Sequence, residues 1–283
     1  MRFHHVRKEE LMSKSLLKVF LLIFAIFLFS GCAGSDKSVK NDSSKNAVPK
    51  EPELAILYVG VTPNYPPMIF KSGDDLKGVE ADLARRLAKA LNKKVQFVEL
   101  DWNRQINALM EGKIDIVMSG MTITDARKVR INFADPYLKI GLMTLIRAED
   151  ANKFNSLKRI REGINTVGVV QGTTSEVFVR NTFPKTGTIL SLKDGADGAY
   201  YLSNRRIDLF IHDGPSIAWL ASENEGVLRV FWEPLDEEHL AWAVRKDDQD
   251  FLAQVNTTLG VWKKDGTLKE IISRWLPYWK NFE

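Results

Sequence analysis

A polar turn that follows an apolar segment carries residues able to bind an anion. The segment 114–118 leads into small and hydroxyl-bearing residues and then a single guanidinium, namely Ser119, Gly120, Thr122 and Arg127. A guanidinium offers five N–H donors in a planar fork that matches a carboxylate, and Thr122 adds a hydroxyl and a backbone N–H. The pattern predicts a carboxylate-binding site. Pairing of Arg127 with Asp125, or a role at a helix cap, are the structural alternatives.

Two further segments supply complementary chemistry. Residues 172–175, Gly-Thr-Thr-Ser, stand before a predicted helix whose first N–H groups and dipole attract anions, which makes Thr173 and Thr174 candidates. Asp213 follows an apolar strand and can accept an ammonium. The alternatives are an ordinary helix N-cap at 172–175 and a turn residue at Asp213. Two anion-binding features and one acid together predict a site for an α-amino acid.

Two aromatic residues stand at similar places in the pattern. Tyr65 follows the first predicted strand in a proline-bounded loop, and Trp102 begins a predicted helix after a strand. Both are candidates to stack on the side chain of a ligand and to close a dry pocket around it. The alternative for each is an ordinary place in the core.

Alternating strands and helices from residue 54 onward predict the frame that positions these residues. Strands are predicted at 54–61, 94–100, 114–120, 166–172, 186–192 and 205–214, with an apolar run at 141–147, and helices at 78–93, 101–113, 173–183 and 194–204. The segment 240–277 predicts a strand and two helices with a turn at Gly266. Ligands of open α/β sheets lie beyond the carboxyl ends of the strands, so the polar segments described above are expected to meet in one cleft. The similarity of KIDIVMSG (113–120) to RIDLFIHDG (206–214) favours two lobes built on one plan.

The composition fits a globular protein of nearly neutral charge. The chain has 283 residues, enough for two lobes of ordinary domain size. Residues 1–31 carry five basic and two acidic residues, and the remainder carries 35 basic and 34 acidic residues. A body so nearly neutral has no electrostatic reason to bind nucleic acid. One cysteine, with only His212 and His239 beyond residue 31, excludes a Cys/His zinc cluster, and we expect neither a metal nor a cofactor.

The N-terminus has the layout of a secretory signal peptide. Two lysines precede an apolar run over 19–29, which is shorter than the roughly 20 residues needed to span a bilayer. The only cysteine, Cys32, follows a Ser-Gly pair at the end of this run. The arrangement resembles the bacterial lipobox, with Phe29 where leucine is commonest. We expect a signal peptide at 1–31 and a lipidated Cys32; the alternative is an uncleaved anchor with a free or buried thiol.

The residues around this leader add two expectations. Residues 33–53 lack aromatic side chains and are rich in Ser, Lys, Asp and Asn, so we predict that 32–53 is a flexible tether with a reach of roughly 25 Å. The acids and histidines before Met12 are unusual in a signal peptide. Translation is therefore expected to start at Met12 rather than Met1, which N-terminal sequencing of the precursor would settle.

In combination, these motifs resemble the extracellular solute-binding protein family 3, the polar amino-acid-binding proteins of ABC importers. The resemblance covers roughly residues 54–280 and is carried by GVTPNYPPM, GVEADLARRLA, GKIDIVMSGMTITDARKVRINFADPY, VGVVQGTTSE, RIDLFIHD and DGTLKEIISRW. It implies an α/β, two-lobed periplasmic-binding-protein-like fold of type II, with two α/β lobes joined by a two-strand hinge. The expected lobes are 54–142 plus 239–283, and 143–238.

The resemblance also implies which residues hold a ligand. The implied grip consists of Arg127, Thr122, the backbone of Gly120 and Thr174, and Asp213, with Tyr65 and Trp102 on either side of the ligand's side chain. Relatives that bind cationic amino acids tend to have an acid where this chain has Thr62. Thr62 is therefore a predicted ligand-binding residue that disfavours cationic ligands and favours neutral polar or aromatic ones.

The function that the resemblance implies is capture and not catalysis. We expect a monomeric, lipid-anchored protein, on the periplasmic or extracellular face of a membrane, that binds a small amino acid and delivers it to an ABC permease. One alternative is an enzyme, because some relatives resemble cyclohexadienyl dehydratases that use a glutamate after the Gly-Thr turn. Here Ser175 holds that position and Glu176 comes one residue later. The other alternative is a sensor for a membrane signalling partner, which would need another chain.

Overall fold

The computed structural model describes residues 54–183 and 185–278. The predicted signal peptide, Cys32, the tether and both possible start residues lie outside the described residues. None of the helices in the described ranges is long and apolar enough to cross a membrane.

Fifteen strands and nine α-helices make up the described part of the chain. The strands are β1 Ile56–Val61, β2 Asn64–Tyr65, β3 Ile69–Ser72, β4 Asp75–Lys77, β5 Lys94–Glu99, β6 Ile116–Val117, β7 Asn132–Phe133, β8 Leu138–Ile140, β9 Leu142–Arg147, β10 Thr166–Val170, β11 Thr188–Leu192, β12 Leu209–Asp213, β13 Leu228–Phe231, β14 Glu238–Leu240 and β15 Ala243–Val244. The helices are α1 Val79–Ala90, α2 Gln105–Met110, α3 Asp125–Lys128, α4 Leu157–Glu162, α5 Thr174–Thr182, α6 Gly195–Ser203, α7 Gly214–Glu223, α8 Gln249–Asp265 and α9 Thr267–Trp275. Two short 3-10 helices lie at Trp102–Arg104 and Ala148–Asp150.

Two five-stranded sheets organise these elements into two lobes. The first sheet has the order β5-β1-β6-β15-β7, in which β5, β1 and β6 are parallel and β15 is antiparallel to its neighbours. The second has the order β11-β10-β12-β9-β13, in which β11, β10 and β12 are parallel and β9 is antiparallel to β12 and β13. We call the elements of the first sheet lobe 1 and those of the second sheet lobe 2. The predicted two-lobed α/β fold is confirmed.

A separate two-stranded sheet connects the lobes. In it, β8 pairs with β14 antiparallel, with Ile140 opposite Glu238 and Leu138 opposite Leu240. The chain leaves lobe 1 through β8, enters the second sheet at β9, and returns through β14 to β15. Two strands that run between lobes in this way allow a hinge motion while both lobes stay rigid.

Amphipathic helices cover the sheets as their sequence patterns predict. On α1, Val79, Leu83 and Leu87 are fully buried, whereas Arg85 and Arg86 are exposed. Apolar residues at helical spacing form a stripe that packs on the apolar face of β1, whose Leu57, Val59 and Val61 are also fully buried. The strand ends therefore keep a fixed place above a packed core.

The observed elements differ from the predicted ones in several places, of which three adjoin the predicted site. The strand predicted at 114–120 is only Ile116–Val117, because the chain turns at Gly120 with φ of 65°. The helix predicted at 101–113 is a 3-10 turn followed by the shorter α2. The helix α7 follows Asp213 directly and was not predicted from the sequence.

Candidate functional site

All nine residues predicted to bind a ligand line one cavity of about 410 Å³. Six belong to lobe 1, namely Thr62, Tyr65, Trp102, Gly120, Thr122 and Arg127. Three belong to lobe 2, namely Thr173, Thr174 and Asp213. The cavity thus lies between the lobes, beyond the carboxyl ends of β6, β10 and β12.

Arg127 presents a largely unused set of donors to this cavity. It lies on α3, a single turn that begins after Thr124, whose side chain accepts from the Arg127 N–H. Its guanidinium donates one hydrogen bond, to the carbonyl oxygen of Thr122 at 2.7 Å, and lies over the Trp102 ring at 5.3 Å. Asp125 does not pair with Arg127; its carboxylate lies 3.2 Å from the ammonium of Lys128.

Arg127 stays positively charged although it is partly buried. Burial lowers the pKa of Arg127, while the charges of Glu238 and Asp213 act in the opposite direction. A guanidinium stays protonated in proteins at any physiological pH. The site therefore contains a partly desolvated cation with most of its N–H groups available to a carboxylate.

Asp213 places a negative charge on the other side of the same cavity. It is the last residue of β12 and is 5% exposed, which excludes an ordinary exposed turn residue. The Tyr65 hydroxyl donates a hydrogen bond to its Oδ2, and His212 Nδ1 lies 3.4 Å from its Oδ1. Burial alone would raise the pKa of Asp213, but His212, Tyr65 and Arg127 together lower it below its usual value. The carboxylate is thus ionised and able to accept an ammonium.

The first turn of α5 leaves its N–H groups without a side-chain cap. Thr173 stands at the N-cap position, yet its hydroxyl donates to the Val170 carbonyl oxygen at 2.7 Å instead of capping the helix. By contrast, the side chains of Thr124 and Asp194 cap the starts of α3 and α6. An uncapped helix start that faces a cavity presents N–H donors to an anion.

Two predicted contacts differ from expectation in detail. The Thr122 hydroxyl donates to Oε2 of Glu238 at 2.9 Å, and the Gly120 N–H donates to Oε1 of Glu80 at 2.6 Å. Both donors are therefore engaged by buried carboxyl groups. A side chain at Gly120 would place Cβ 2.5 Å from the Tyr65 ring, and its φ of 65° favours glycine.

Both lobes contribute walls to the cavity, and Tyr65 and Thr62 of lobe 1 are held by hydrogen bonds and ring contacts. Tyr65 stacks on His212 with ring centroids 5.3 Å apart, and burial followed by the charge of Asp213 raises the pKa of Tyr65, so its hydroxyl stays a donor. The Thr62 hydroxyl donates to the Leu100 carbonyl oxygen and accepts from Gln105 Nε2, each at 2.9 Å. Thr62 therefore contributes shape more than a free hydrogen bond.

The lobes touch across the cavity through side chains. Besides the Tyr65–Asp213 bond, Trp102 Nε1 donates to the Gly172 carbonyl oxygen at 3.0 Å, and Asn64 Nδ2 donates to Asp194 Oδ2 at 3.4 Å. These contacts join residues 70 to 148 positions apart in the chain. The structure therefore represents a closed arrangement of the lobes.

Three site residues were missing from the sequence prediction. Glu80 accepts from Gly120, Tyr137 and Trp242, and burial raises its pKa to about 7 against those hydrogen bonds. His212 lines the cavity beside Asp213, and Glu238 contacts Thr122. The alternation of buried Glu238, Leu240 and Trp242 around exposed His239 is the signal that could have placed Glu238 on a buried face.

The glutamate on α5 does not line the cavity, although its partner Ser191 does. Glu176 accepts hydrogen bonds from the Gly172 N–H at 2.8 Å, the Arg180 guanidinium at 2.8 Å and the Ser191 hydroxyl at 2.6 Å. Although burial raises the pKa of Glu176, these donors lower it below its usual value. Ser175, one residue earlier, is fully buried and lies 2.7 Å from the Thr173 hydroxyl.

Comparisons with known proteins point to one family. The profile of the bacterial extracellular solute-binding proteins, family 3, matches residues 57–278. The chain is 28% identical over 278 residues to the L-cystine-binding protein TcyJ of Escherichia coli K12, covering 97% of both chains.

Solved structures are similar over nearly their whole length. A putative binding component of an ABC transporter from Wolinella succinogenes, complexed with lysine, is 32% identical with a TM-score of 0.74, over 78% of this chain and 95% of that one. The ancestral amino acid-binding protein AncCDT-1, a precursor of cyclohexadienyl dehydratase, is 36% identical with a TM-score of 0.73 over the same shares.

Proposed function

Because the chain belongs to the bacterial extracellular solute-binding proteins, family 3, we propose that it captures an α-amino acid between its lobes outside the cytoplasm and delivers it to an ABC importer. The observation that carries this proposal is the opposition of Arg127 and Asp213. A cation on lobe 1 and an anion on lobe 2 face one cavity, which suits the carboxylate and ammonium of a zwitterion.

Each part of an amino acid has a matching part of the cavity. The carboxylate would bind Arg127 and the uncapped start of α5, and the ammonium would bind Asp213 and the Gly120 carbonyl oxygen. The side chain would lie against Tyr65 and Trp102. Since both lobes supply contacts, the ligand stabilises the closed arrangement, and a permease can recognise that arrangement.

The side chain of the ligand is expected to be neutral and polar, or aromatic. Thr62 is not an acid, and its hydroxyl is already used twice within the protein. Two carboxylates elsewhere on the cavity, Asp101 and Asp194, are the groups that would bind a cationic side chain instead. A panel of ligands separates the two classes.

Catalysis is not expected of this site. An enzyme of the cyclohexadienyl dehydratase kind would need an acid on α5 that faces the ligand, but Glu176 is held by three donors and does not line the cavity. Incubation of the purified protein with prephenate or arogenate tests this: no loss of either is expected, and turnover would overturn the assignment.

The remaining parts of the proposal concern the organisation of the chain. We expect lobe 1 to comprise 54–142 plus 239–283 and lobe 2 to comprise 143–238, with a monomer held at the membrane through a lipidated Cys32. Several acyl chains hold a protein firmly, whereas one binds only marginally. Cys32→Ser should release the protein from the membrane fraction; continued membrane association would indicate an uncleaved leader.

A thermal-shift screen tests the function directly. The mature protein is heated with each of the twenty standard L-amino acids and with L-cystine, in large excess. A true ligand raises the melting temperature because it binds only the folded state, by about 2.7 kcal/mol of stabilisation at a hundredfold excess over Kd. We expect one or a few amino acids to shift the melting temperature; no shift with any of them would overturn the proposal.

A further inference from the structure

Glu238 is a buried acid that contacts both lobes from the connection between them. It is the first residue of β14, is 7% exposed, and lies opposite Ile140 of β8. Its Oε2 accepts from the Thr122 hydroxyl at 2.9 Å, and the Thr174 hydroxyl lies close enough to influence the same carboxyl. Thr122 belongs to lobe 1 and Thr174 to lobe 2. The two contacts can exist together only while the lobes are closed.

The charges around Glu238 are mostly negative. The titratable and charged groups that face or adjoin it are Arg127 on α3, Asp213 at the end of β12, Tyr65 on β2, Asp236 before β14, the exposed neighbours Glu237 and His239, and Lys139 on the paired strand β8. Burial raises the pKa of Glu238 to about 8, with the charges of Asp213 and Asp236 acting in the same direction and the threonine hydrogen bonds opposing them. The closed arrangement of the lobes therefore favours the protonated, neutral form of the Glu238 carboxyl.

Ligand binding strengthens this preference. Thr122 stands between Glu238 and Arg127, because its hydroxyl donates to Glu238 while its carbonyl oxygen accepts from the guanidinium. A ligand carboxylate on Arg127 neutralises the cation that faces Glu238. An ionised Glu238 would then be a buried anion without a compensating charge, which is strongly disfavoured.

A second groove gives Glu238 its own route to solvent protons. This rear groove has a volume of about 350 Å³ and shares Thr122 and Thr174 with the ligand cavity. Its other walls include Asp236, Glu238 and His239. Glu238 can therefore exchange a proton through the rear groove while the ligand stays bound.

We propose that Glu238 is a positioning residue of the ligand site, a carboxyl that ties Thr122 to Thr174 across the closed lobes and holds the ligand tightly only while it carries its proton. The inference rests on the proposed function, because it concerns how a bound amino acid is retained. Glu238 does not touch the ligand; it acts through the two threonines that line the cavity.

The direction of the pH dependence follows from proton linkage. An ordinary glutamate has a pKa near 4.5, whereas the pKa of Glu238 in the closed form is about 8. Between the pKa of the open form and about 8, closing on a ligand takes up a proton. Affinity is highest on the acidic side, falls by at most about tenfold per pH unit as pH rises, and levels off above about pH 8.

The test compares three proteins with one amino acid. The ligand is the member of the thermal-shift panel, the twenty amino acids plus L-cystine, that raises the melting temperature most. Calorimetry measures its affinity for wild type, Glu238→Gln and Glu237→Gln from about pH 6 to about pH 8.5. The amide introduced by Glu238→Gln keeps the shape of a protonated carboxyl, and Glu237 is an exposed neighbour paired with Lys139 at 2.6 Å. Repeating the titration near pH 7 in buffers of different ionisation enthalpy counts the protons taken up.

We expect wild type and Glu237→Gln to lose affinity with rising pH and to take up as much as one proton, while Glu238→Gln shows a flatter profile and smaller uptake. Groups shared by all three proteins cancel in this comparison. Parallel pH profiles and equal proton uptake in wild type and Glu238→Gln would overturn the role of Glu238 and leave the proposed function intact. Failure of every panel member to bind wild type would overturn both. If Glu238→Gln does not fold, absence of proton uptake by wild type alone overturns the proposal.

Discussion

The strand of lobe 1 that precedes the guanidinium and the strand of lobe 2 that precedes the acid begin with the same device. In KIDIVMSG, Asp115 accepts from the Tyr58 N–H at 2.9 Å and donates its own N–H to the Tyr58 carbonyl oxygen at 2.8 Å. In RIDLFIHDG, Asp208 makes the same pair of bonds with Thr166, at 2.9 and 2.7 Å. In each lobe an aspartate thus fastens the start of a central strand to its parallel neighbour.

The same two strands end differently, and the difference creates the site. In lobe 1 the chain turns at Gly120, and Arg127 lies seven residues later on the short helix α3. In lobe 2 the strand ends at Asp213, which leads directly into α7. The aspartate bonds that the two lobes share hold each sheet together. The strand ends differ, and they give one lobe a cation and the other an anion. This contrast separates residues of the frame from residues of the site.

Removal of the guanidinium should have the largest effect on binding. Arg127→Ala is expected to weaken amino-acid affinity by at least about 30-fold, because truncation of one partner of a buried charge pair costs about 2–5 kcal/mol. Isothermal titration calorimetry gives the affinity and thermal unfolding checks the fold. Lys128→Ala, on the same turn but exposed and paired with Asp125, is the matched control. Equal affinities for wild type and Arg127→Ala would show that the Arg127 guanidinium does not bind the ligand.

The acid of lobe 2 should have the next largest effect, and one that depends on the ligand. Asp213→Asn is expected to weaken amino acids by about 10- to 100-fold, because a hydrogen bond to a charged group is worth about 1.5–3 kcal/mol. Deaminated analogues of the same ligand carry no ammonium and should be affected much less. Calorimetry with both compounds measures the difference. Equal losses for both would mean that Asp213 does not meet an amine.

The frame aspartates should affect stability and leave binding nearly unchanged. Asp115→Ala and Asp208→Ala each remove the acceptor of a backbone N–H, which costs about 0.5–1.5 kcal/mol for a typical hydrogen bond. Asp208 also lies 3.6 Å from the buried guanidinium of Arg147, so its removal should be the more costly of the two. Urea unfolding measures the stability and calorimetry the affinity. A loss of affinity as large as that of Asp213→Asn would erase the distinction between frame and site.

The frame was predictable because local pattern and packing agree. The apolar stripe of α1 and the apolar run of β1 each match the period of their element, and both are buried as expected. Gly266, predicted as a turn, has φ of 84° between α8 and α9. The two similar strand segments also make matching hydrogen bonds, through Asp115 and Asp208. These features depend on near neighbours or on repeated spacing, which a sequence displays.

The site was predictable only in part, because long-range partners decide what each donor does. The strand ends identified the lining of the cavity, including Arg127 and Asp213. No local pattern indicates that the Thr122 hydroxyl meets Glu238, 116 residues away, or that the Gly120 N–H meets Glu80. Buried carboxyl groups are rare, so an acidic segment such as 236–238 predicts exposure.

A crystal structure of the protein with its bound amino acid tests the central claim most directly. We expect the ligand carboxylate within hydrogen-bond distance of the Arg127 guanidinium and the first turn of α5, and the ligand ammonium on the Asp213 carboxylate. A ligand bound outside this cavity, or one whose carboxylate and ammonium meet neither side chain, would contradict the account.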